Sequence, residues 1–147
     1  MDNGAGVPPR PSPWQGVRRL TAPAVDAVVP QVRHAVRDLL ERQGLPATGG
    51  VAQDLLLIVS ELVTNAVRHA APLSPRVAVE VAVGARWVRV AVEDDHPHRP
   101  RALPADTGRT GGRGLFLVEE ITREAGGACD VERTASGGKV AWALLPR

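Results

Sequence analysis

The stretch SELVTNAVRHA, residues 60–70, is the part of the sequence that decides the fold and the candidate site. Glu61 and Asn65 are four residues apart, so on a helix both side chains leave the same face. A carboxylate can accept a proton or orient a nucleophile, and an amide oxygen suits Mg²⁺, which takes few protein ligands beside substrate phosphates. Because exposed Glu and Asn are also common on helices, the pair taken alone is better explained as two ordinary surface residues.

Two helices are predicted around this stretch. The first carries an apolar stripe that ends at Gly44, a natural C-terminal glycine, and Pro30 must either fall in its first turn or kink it. The second follows Gly49-Gly50, and Glu61 and Asn65 lie roughly 100° from its core stripe, which predicts that both are half-buried. The stripe residues are Val25, Val29, Val32, Val36 and Leu39 or Leu40 in the first helix, and Val51, Leu55, Ile58, Leu62 and Ala66 in the second.

Alternating valines predict a pair of strands after these helices. Residues 76–83 and 86–93 place valines on one side with period two, and Gly84-Ala85 joins them as a tight hairpin. A long loop is predicted from Asp94 to Gly112, and a loop of that length in a small domain is usually functional or disordered.

Further elements complete the predicted order. A third helix runs from Leu115 to about Glu124, a short strand at 16–22 precedes the first helix, and strands at 128–133 and 139–145 close the chain. The order predicts an α+β fold, a two-layer α/β sandwich with helices on one face of a mostly antiparallel mixed sheet.

Length and composition limit the possible functions. The 147 residues fit one domain, with residues 1–15 as a proline-rich disordered tail and 16–147 as the folded part. The single cysteine, Cys129, and the lack of any stretch approaching about 20 apolar residues predict a soluble, cytoplasmic protein. A pI near 9.4 permits nucleic-acid binding, but the arginines are scattered and only 3% of residues are aromatic, which argues against a base-stacking surface.

Two further motifs carry possible chemistry. Gly111-Gly112-Arg113-Gly114 stands where a loop enters a helix, and backbone donors at a helix N-terminus can bind an anion. A plain glycine-rich turn has equal weight when the motif is taken alone. Asp94 and Asp95 end a valine-rich strand, where a carboxylate can accept a hydrogen bond from an exocyclic amine, although aspartates also form turns.

Taken together and in order, these motifs resemble the boxes of the GHKL ATPase superfamily. Residues 61–70 resemble its N box, residues 92–97 its first glycine box, and residues 111–115 its second. The stretch 60–70 is especially similar to that of the small stand-alone branch, the anti-sigma factor serine/threonine kinases and related actinobacterial ATP-binding regulators. The resemblance covers roughly residues 16–146 and implies the Bergerat, or histidine kinase-like ATPase, fold.

The resemblance implies ATP and Mg²⁺ as ligands and assigns roles to matching positions. Asn65 would hold Mg²⁺ against the phosphates, and Glu61 would orient or deprotonate the attacking hydroxyl. Asp94 would accept a hydrogen bond from the adenine amine. The second glycine box would contact the phosphates, with the preceding loop as a nucleotide lid and Arg113 as an assisting charge; the nucleotide-binding positions there are Gly112, Arg113, Gly114 and Leu115.

The sequence departs from the family pattern at two places. His96 and His98 stand where the first glycine box has glycines, which brings bulk beside the adenine and puts nucleotide affinity in question. Val140 replaces the threonine that would support the adenine aspartate, so one polar contact is predicted to be missing.

The leading functional hypothesis is an anti-sigma-type serine/threonine protein kinase that phosphorylates an antagonist protein and controls transcription by partner switching. Its implied partners are a sigma factor and the antagonist, with a possible homodimer and with no direct contact to nucleic acid or membrane. The alternative is a non-catalytic protein-binding module on the same fold. A DNA-binding regulator rests on the pI alone.

Overall fold

The computed structural model describes residues 14–70, 76–95 and 110–147, without the side chains of residues 69, 70 and 110–113. In chain order the elements are β1 (Trp14–Pro23), α1 (Val28–Arg42), α2 (Gly50–Ala70), β2 (Arg76–Gly84), β3 (Trp87–Asp94), α3 (Thr110–Ala125), β4 (Ala128–Arg133) and β5 (Lys139–Pro146).

The five strands form one sheet in the order β1-β2-β3-β5-β4, and every neighbouring pair is antiparallel. All three helices contact this sheet. The predicted α+β sandwich is therefore confirmed. Among the described strands no neighbouring pair is parallel, so the sheet is more uniform than the mixed sheet that was predicted.

The β2–β3 hairpin supplies the inner face of the sheet. Its register pairs Val79 with Val92 and Val81 with Val90, and all four side chains are buried. β-branched side chains pack well on a pleated surface, and alternation with period two keeps them all on the side that faces the helices. The hairpin predicted from the valine pattern is confirmed.

Helix α2 is the central helix, since it contacts α1, α3 and the strands β2, β3 and β5. Four of its predicted stripe residues are buried, whereas Val51 is only half-buried. The buried surface of α2 is wider than one stripe because the helix contacts both α1 and α3. Leu56, Val59, Val63 and Val67 are buried in addition to the predicted stripe.

Helix α1 begins three residues later than the predicted stripe, and Val25, which precedes it, is 51% exposed. Pro30 lies in the first turn, one of its two predicted places. The helix ends as predicted at Gly44, which has φ of 81°. The Leu45 N–H donates to the Leu40 carbonyl at 2.8 Å, the bond that defines a Schellman cap.

Two predicted boundaries were wrong by a few residues. Strand β1 begins at Trp14 instead of residue 16, because its pairing extends to Gly84 at the end of β2; residues 1–13 of the predicted tail lie outside the described residues. Helix α3 begins at Thr110, so the glycine motif forms its first turn and does not precede it. Residues 96–109 of the predicted loop lie outside the described part of the chain.

Helix α2 also passes a length and composition test for a membrane span, contrary to the expectation from the sequence. The stretch Gly50–Arg68 has 19 residues with a mean hydropathy of 1.3, and half of it is buried inside the domain. Its high hydropathy is explained by the core side chains that face α1, α3 and the sheet.

Candidate functional site

Five elements line one small cavity on the inner face of the sheet, and four of them contribute predicted site residues or Lys139. Helix α2 contributes Asn65, β3 contributes Asp94, α3 contributes Leu115 and β5 contributes Lys139. The free space between them is about 10 Å³, which admits roughly one water molecule. The remaining lining is apolar and consists of Leu62, Ala66, Val92, Val131 and Ala141.

The first turn of α3 approaches the N-box face of α2 through Gly114. A Cβ atom built on Gly114 would lie 2.7 Å from Oε1 of Glu61, 3.5 Å from Oδ1 of Asn65 and 3.7 Å from its Nδ2. Any larger side chain would therefore push against the Glu61 carboxylate. The absence of a Cβ lets the backbone at the start of α3 lie against both polar side chains of α2.

Glu61 and Asn65 differ in burial although they share one helix face. Glu61 is half-buried, as predicted, whereas Asn65 is 9% exposed and counts among the buried polar residues. The hydroxyl groups that directly precede each of them bond to the helix backbone: Thr64 Oγ1 donates to the Ser60 carbonyl at 2.7 Å, and Ser60 Oγ donates to the Leu56 carbonyl at 2.8 Å. The carboxylate and the amide are thus the groups that this face offers to a ligand.

Asp94 is buried in an ion pair with Lys139. The Lys139 ammonium Nζ lies 3.1 Å from Oδ1 of Asp94, and the two side chains are 6% and 3% exposed. The antiparallel register places the two residues directly opposite each other on β3 and β5. A buried charged side chain is expensive unless it is paired, so each of these residues stabilises the other in place.

The β4–β5 turn brings Lys139 to this position. A Cβ atom on Gly138 would lie 2.2 Å from the Asp94 carbonyl oxygen and 2.8 Å from the Asp95 Cα, so only glycine fits beside the end of β3. The Gly138 N–H donates to Thr134 Oγ1 at 3.0 Å, which fixes the turn from its other side.

Cys129 lies on β4 and does not line this cavity. The Thr122 hydroxyl donates to its sulfur at 3.3 Å. Burial raises the pKa of the Cys129 thiol, and the carboxylates of Glu119 and Asp130 raise it further, against the opposing effect of the Thr122 hydrogen bond. The group is therefore a protonated thiol at neutral pH, a weak nucleophile.

The structure brings most of the predicted site residues together. Glu61 and Asn65 meet Gly114, while Asn65 and Leu115 line the same cavity as Asp94. The Gly112 and Arg113 positions lie in the first turn of α3, but the Arg113 side chain lies outside the described residues. His96 and His98 lie outside them as well.

Sequence reasoning missed Lys139. It considered Val140 as the partner of the adenine aspartate and predicted a missing polar contact, but Val140 pairs with Glu93 on the neighbouring position of the ladder. The contact to Asp94 is made by Lys139 instead. The alternation of β5 could have indicated its position. Lys139 is an even number of residues from Ala143 and Leu145, so its side chain leaves the strand on the same face as these two core residues.

Comparison with protein families decides the relationship. The family model described as the histidine kinase-like ATPase domain matches residues 22–143. The chain belongs to this family. Membership implies ATP binding, usually with Mg²⁺, and agrees with the ordered boxes found in the sequence. No curated protein matches the chain.

Several solved structures share the fold of this family member. The chain is 22% identical to the structure of the RsbU and RsbW domains of a Mycobacterium tuberculosis protein, with a TM-score of 0.65 over 90% of this chain and 33% of that one. It is 16% identical to a chain of the SiaB-SiaC complex from Pseudomonas aeruginosa (TM-score 0.56; 88% of this chain, 89% of that one). For the catalytic domain of the histidine kinase ThkA the identity is 17% and the TM-score 0.54, over 88% and 97%. The chain spans about a third of the Mycobacterium tuberculosis structure.

Two observations test whether the site fits Mg²⁺ and ATP. At the predicted phosphate positions, a Cβ-free backbone at Gly114 lies close to the Glu61 carboxylate and to the buried Asn65 amide, whose oxygen is of a kind that Mg²⁺ takes as a ligand. Among the described residues there is no cluster of three or more His, Cys, Asp or Glu side chains that could hold a metal, so a bound Mg²⁺ would depend on Asn65 and the phosphates. The predicted base position holds the buried Asp94–Lys139 pair, in which Lys139 donates to Oδ1 of Asp94.

Proposed function

We propose that this domain is an anti-sigma-type serine/threonine protein kinase that binds ATP with Mg²⁺ and transfers the γ-phosphoryl group to a hydroxyl of an antagonist protein. Glu61 orients or deprotonates that hydroxyl, and Asn65 holds the metal against the phosphates. Asp94 accepts a hydrogen bond from the adenine amine. Backbone groups at the start of α3 contact the phosphates, with Gly112, Arg113, Gly114 and Leu115 as the positions involved.

The observation that carries this proposal is the contact of Gly114 with both Glu61 and Asn65. A Cβ at Gly114 would lie within 4 Å of both side chains. Phosphoryl transfer depends mainly on positioning and on neutralisation of charge. The free N–H groups of a helix N-terminus are donors for phosphate oxygens. In α3 they belong to residues 110–113, the turn that leads to Gly114 and so to the Glu61 carboxylate and the Asn65 amide.

The bound Mg²⁺ would supply charge neutralisation on the phosphates. The protein groups around it have separate tasks. The buried Asn65 amide has little rotational freedom at 9% exposure, so it can present its oxygen in a fixed direction. Glu61 is half-buried, so its carboxylate is more accessible to a protein hydroxyl than the buried Asn65 amide is.

The partners follow from the family branch that the sequence resembles. We propose that the protein partners are a sigma factor and the antagonist that this domain phosphorylates. Exchange between these two partners would control transcription, and the protein would act in the cytoplasm. The similarity in fold to the RsbU and RsbW domains and to a chain of the SiaB-SiaC complex supports this choice. Dimer formation is part of the proposal.

A non-catalytic protein-binding module is the second candidate, and the buried ion pair favours it. Lys139 already donates to one oxygen of the carboxylate that the adenine amine would use, at 3.1 Å from Oδ1 of Asp94. If this pair excludes the adenine base, the domain keeps the shape of a kinase and binds its partner without nucleotide.

Transfer of labelled phosphate separates the two candidates. The purified chain is incubated with γ-labelled ATP, Mg²⁺ and a cognate antagonist protein, in the wild type, Glu61→Gln and Glu124→Gln. Glu124 is an exposed carboxylate of α3 outside the site, so the proposal predicts transfer by the wild type and the Glu124 variant, with a loss of about a hundredfold or more in Glu61→Gln. Undiminished transfer in Glu61→Gln contradicts the catalytic role.

A further inference from the structure

Asp94 and Lys139 place an acceptor and a donor side by side in the wall of the cavity. They lie opposite each other on β3 and β5, with Nζ of Lys139 3.1 Å from Oδ1 of Asp94. Both side chains are almost fully buried, and both line the cavity that Asn65 and Leu115 also border. An ammonium has three donors and a carboxylate about four acceptor positions, so the bond between them uses only part of the capacity of each group.

The backbone holds this pair in place before any ligand binds. The register of β3 and β5 sets the two side chains beside each other, and Gly138 lies against the end of β3, where a Cβ would be 2.2 Å from the Asp94 carbonyl oxygen. The free space of about 10 Å³ is smaller than a base. Other lining residues must therefore move to admit one, while the pair stays where the two strands hold it.

The edge of adenine offers the opposite arrangement of groups. Its N6 amine is a donor, and the adjacent ring nitrogen N1 accepts a hydrogen bond on the Watson–Crick edge. The Asp94 carboxylate can accept from N6 while the Lys139 ammonium donates to N1, so the base satisfies both groups and the ion pair remains intact. A hydrogen bond from an ammonium is charge-assisted and stronger than one between neutral groups.

We propose that Lys139 is a base-binding residue that donates a hydrogen bond to N1 of adenine, beside the contact between N6 and Asp94. The inference rests on the proposed nucleotide site and adds one residue to it. A Lys139 that served only to neutralise Asp94 would not distinguish nucleotides that differ at N1, so this difference separates recognition of the base from a structural role.

The test removes one acceptor at a time from the ligand. Calorimetry with Mg²⁺ and ATP, 1-deaza-ATP or 7-deaza-ATP is carried out on the wild type, Lys139→Met and Arg123→Gln. 1-Deaza-ATP has a C–H group in place of N1 and keeps the N6 amine, whereas 7-deaza-ATP carries the same change on the other ring. Methionine is similar in length to lysine and has no donor. Arg123 is an exposed cation of α3 paired with Glu120, and its substitution controls for a general loss of positive charge.

The wild type and Arg123→Gln are expected to bind 1-deaza-ATP about tenfold or more weakly than ATP, because the ammonium loses its acceptor on the base. In Lys139→Met the two nucleotides should bind within about threefold of each other, since no donor to N1 remains. The effect of the 7-deaza change should be the same in all three proteins.

A measurement on the wild type alone decides the matter if Lys139→Met does not fold. Lys139 is the only lysine in the chain, so labelling at lysine gives signals from a single side chain. With ATP bound, we expect nuclear Overhauser contacts between this side chain and H2 of adenine, the proton on the carbon next to N1.

Equal binding of ATP and 1-deaza-ATP by the wild type overturns the inference, as does a loss for 1-deaza-ATP that persists in a folded Lys139→Met variant. Bound ATP without Overhauser contacts between H2 and the lysine side chain has the same meaning. These outcomes leave the proposed nucleotide site intact, because ATP still binds. Absence of ATP binding by the wild type overturns the proposed function itself, and the inference with it.

Discussion

At the residue scale, Gly114 joins the two halves of the proposed phosphate site. Its missing side chain allows the first turn of α3 to lie against Glu61 and Asn65. Alanine is a better helix former than glycine by about 1 kcal/mol, so local helix stability opposes the choice of glycine here. The close approach to the carboxylate supplies the reason for it.

Gly114→Ala therefore separates stability from activity. A Cβ would stand 2.7 Å from the tip of a flexible side chain, and Glu61 can move aside, so we expect a free energy of unfolding within about 1 kcal/mol of the wild type. Phosphoryl transfer should fall by about ten- to a hundredfold because the carboxylate is displaced. Thermal unfolding and the transfer assay measure the two effects. Unchanged transfer shows that the position of Glu61 is not critical.

The buried ion pair is the second feature at this scale. Removing one member breaks this ion pair and leaves the other charge buried, which costs about 3–5 kcal/mol in comparable pairs. We expect Lys139→Met and Asp94→Asn each to lower the free energy of unfolding by an amount of this order, and the double variant to lose much less than the sum. Urea unfolding of the three variants measures the coupling. Additive losses contradict a direct ion pair.

At the scale of elements, the β4–β5 turn determines how closely β5 approaches the end of β3. Gly138 faces backbone atoms that cannot move independently, at 2.2 Å from the Asp94 carbonyl oxygen. We expect Gly138→Ala to reduce the free energy of unfolding by about 1–3 kcal/mol. Gly50→Ala is the matched control, since a Cβ there meets nothing within 4 Å. Equal stability of the two variants, measured by urea unfolding, contradicts the close approach.

Elements defined by local sequence patterns were predictable from the sequence, whereas boundaries set by distant parts of the chain were not. The valine alternation in β2 and β3 and the stop at Gly44 depend on local patterns, and both predictions are confirmed. The start of β1 is set by pairing with β2 over a long sequence separation. The start of α3 at Thr110 lies before three glycines, a composition that gives no helical signal.

At the scale of the whole molecule, five strands and three helices bring together residues from four elements that are distant in sequence. The ordered boxes predict Glu61, Asn65, Asp94 and Gly114 as site residues from the sequence alone. Lys139 could not be placed from the boxes alone, because its role depends on the register between β3 and β5. The alternation of β5 predicts that Lys139 faces the core. That its neighbour on β3 is Asp94 follows only from the register of the folded sheet.

The central claim is that this fold forms a Mg²⁺–nucleotide site in which Asn65 holds the metal. Calorimetric titration of ATP with Mg²⁺ and with EDTA into the wild type, Asn65→Ala and Glu124→Gln tests it most directly, with thermal unfolding as the check that each variant is folded. The account predicts tighter binding with Mg²⁺ in the wild type and in Glu124→Gln, and loss of that difference in Asn65→Ala. A wild type indifferent to Mg²⁺, or an Asn65→Ala variant that keeps the full Mg²⁺ effect, would contradict it.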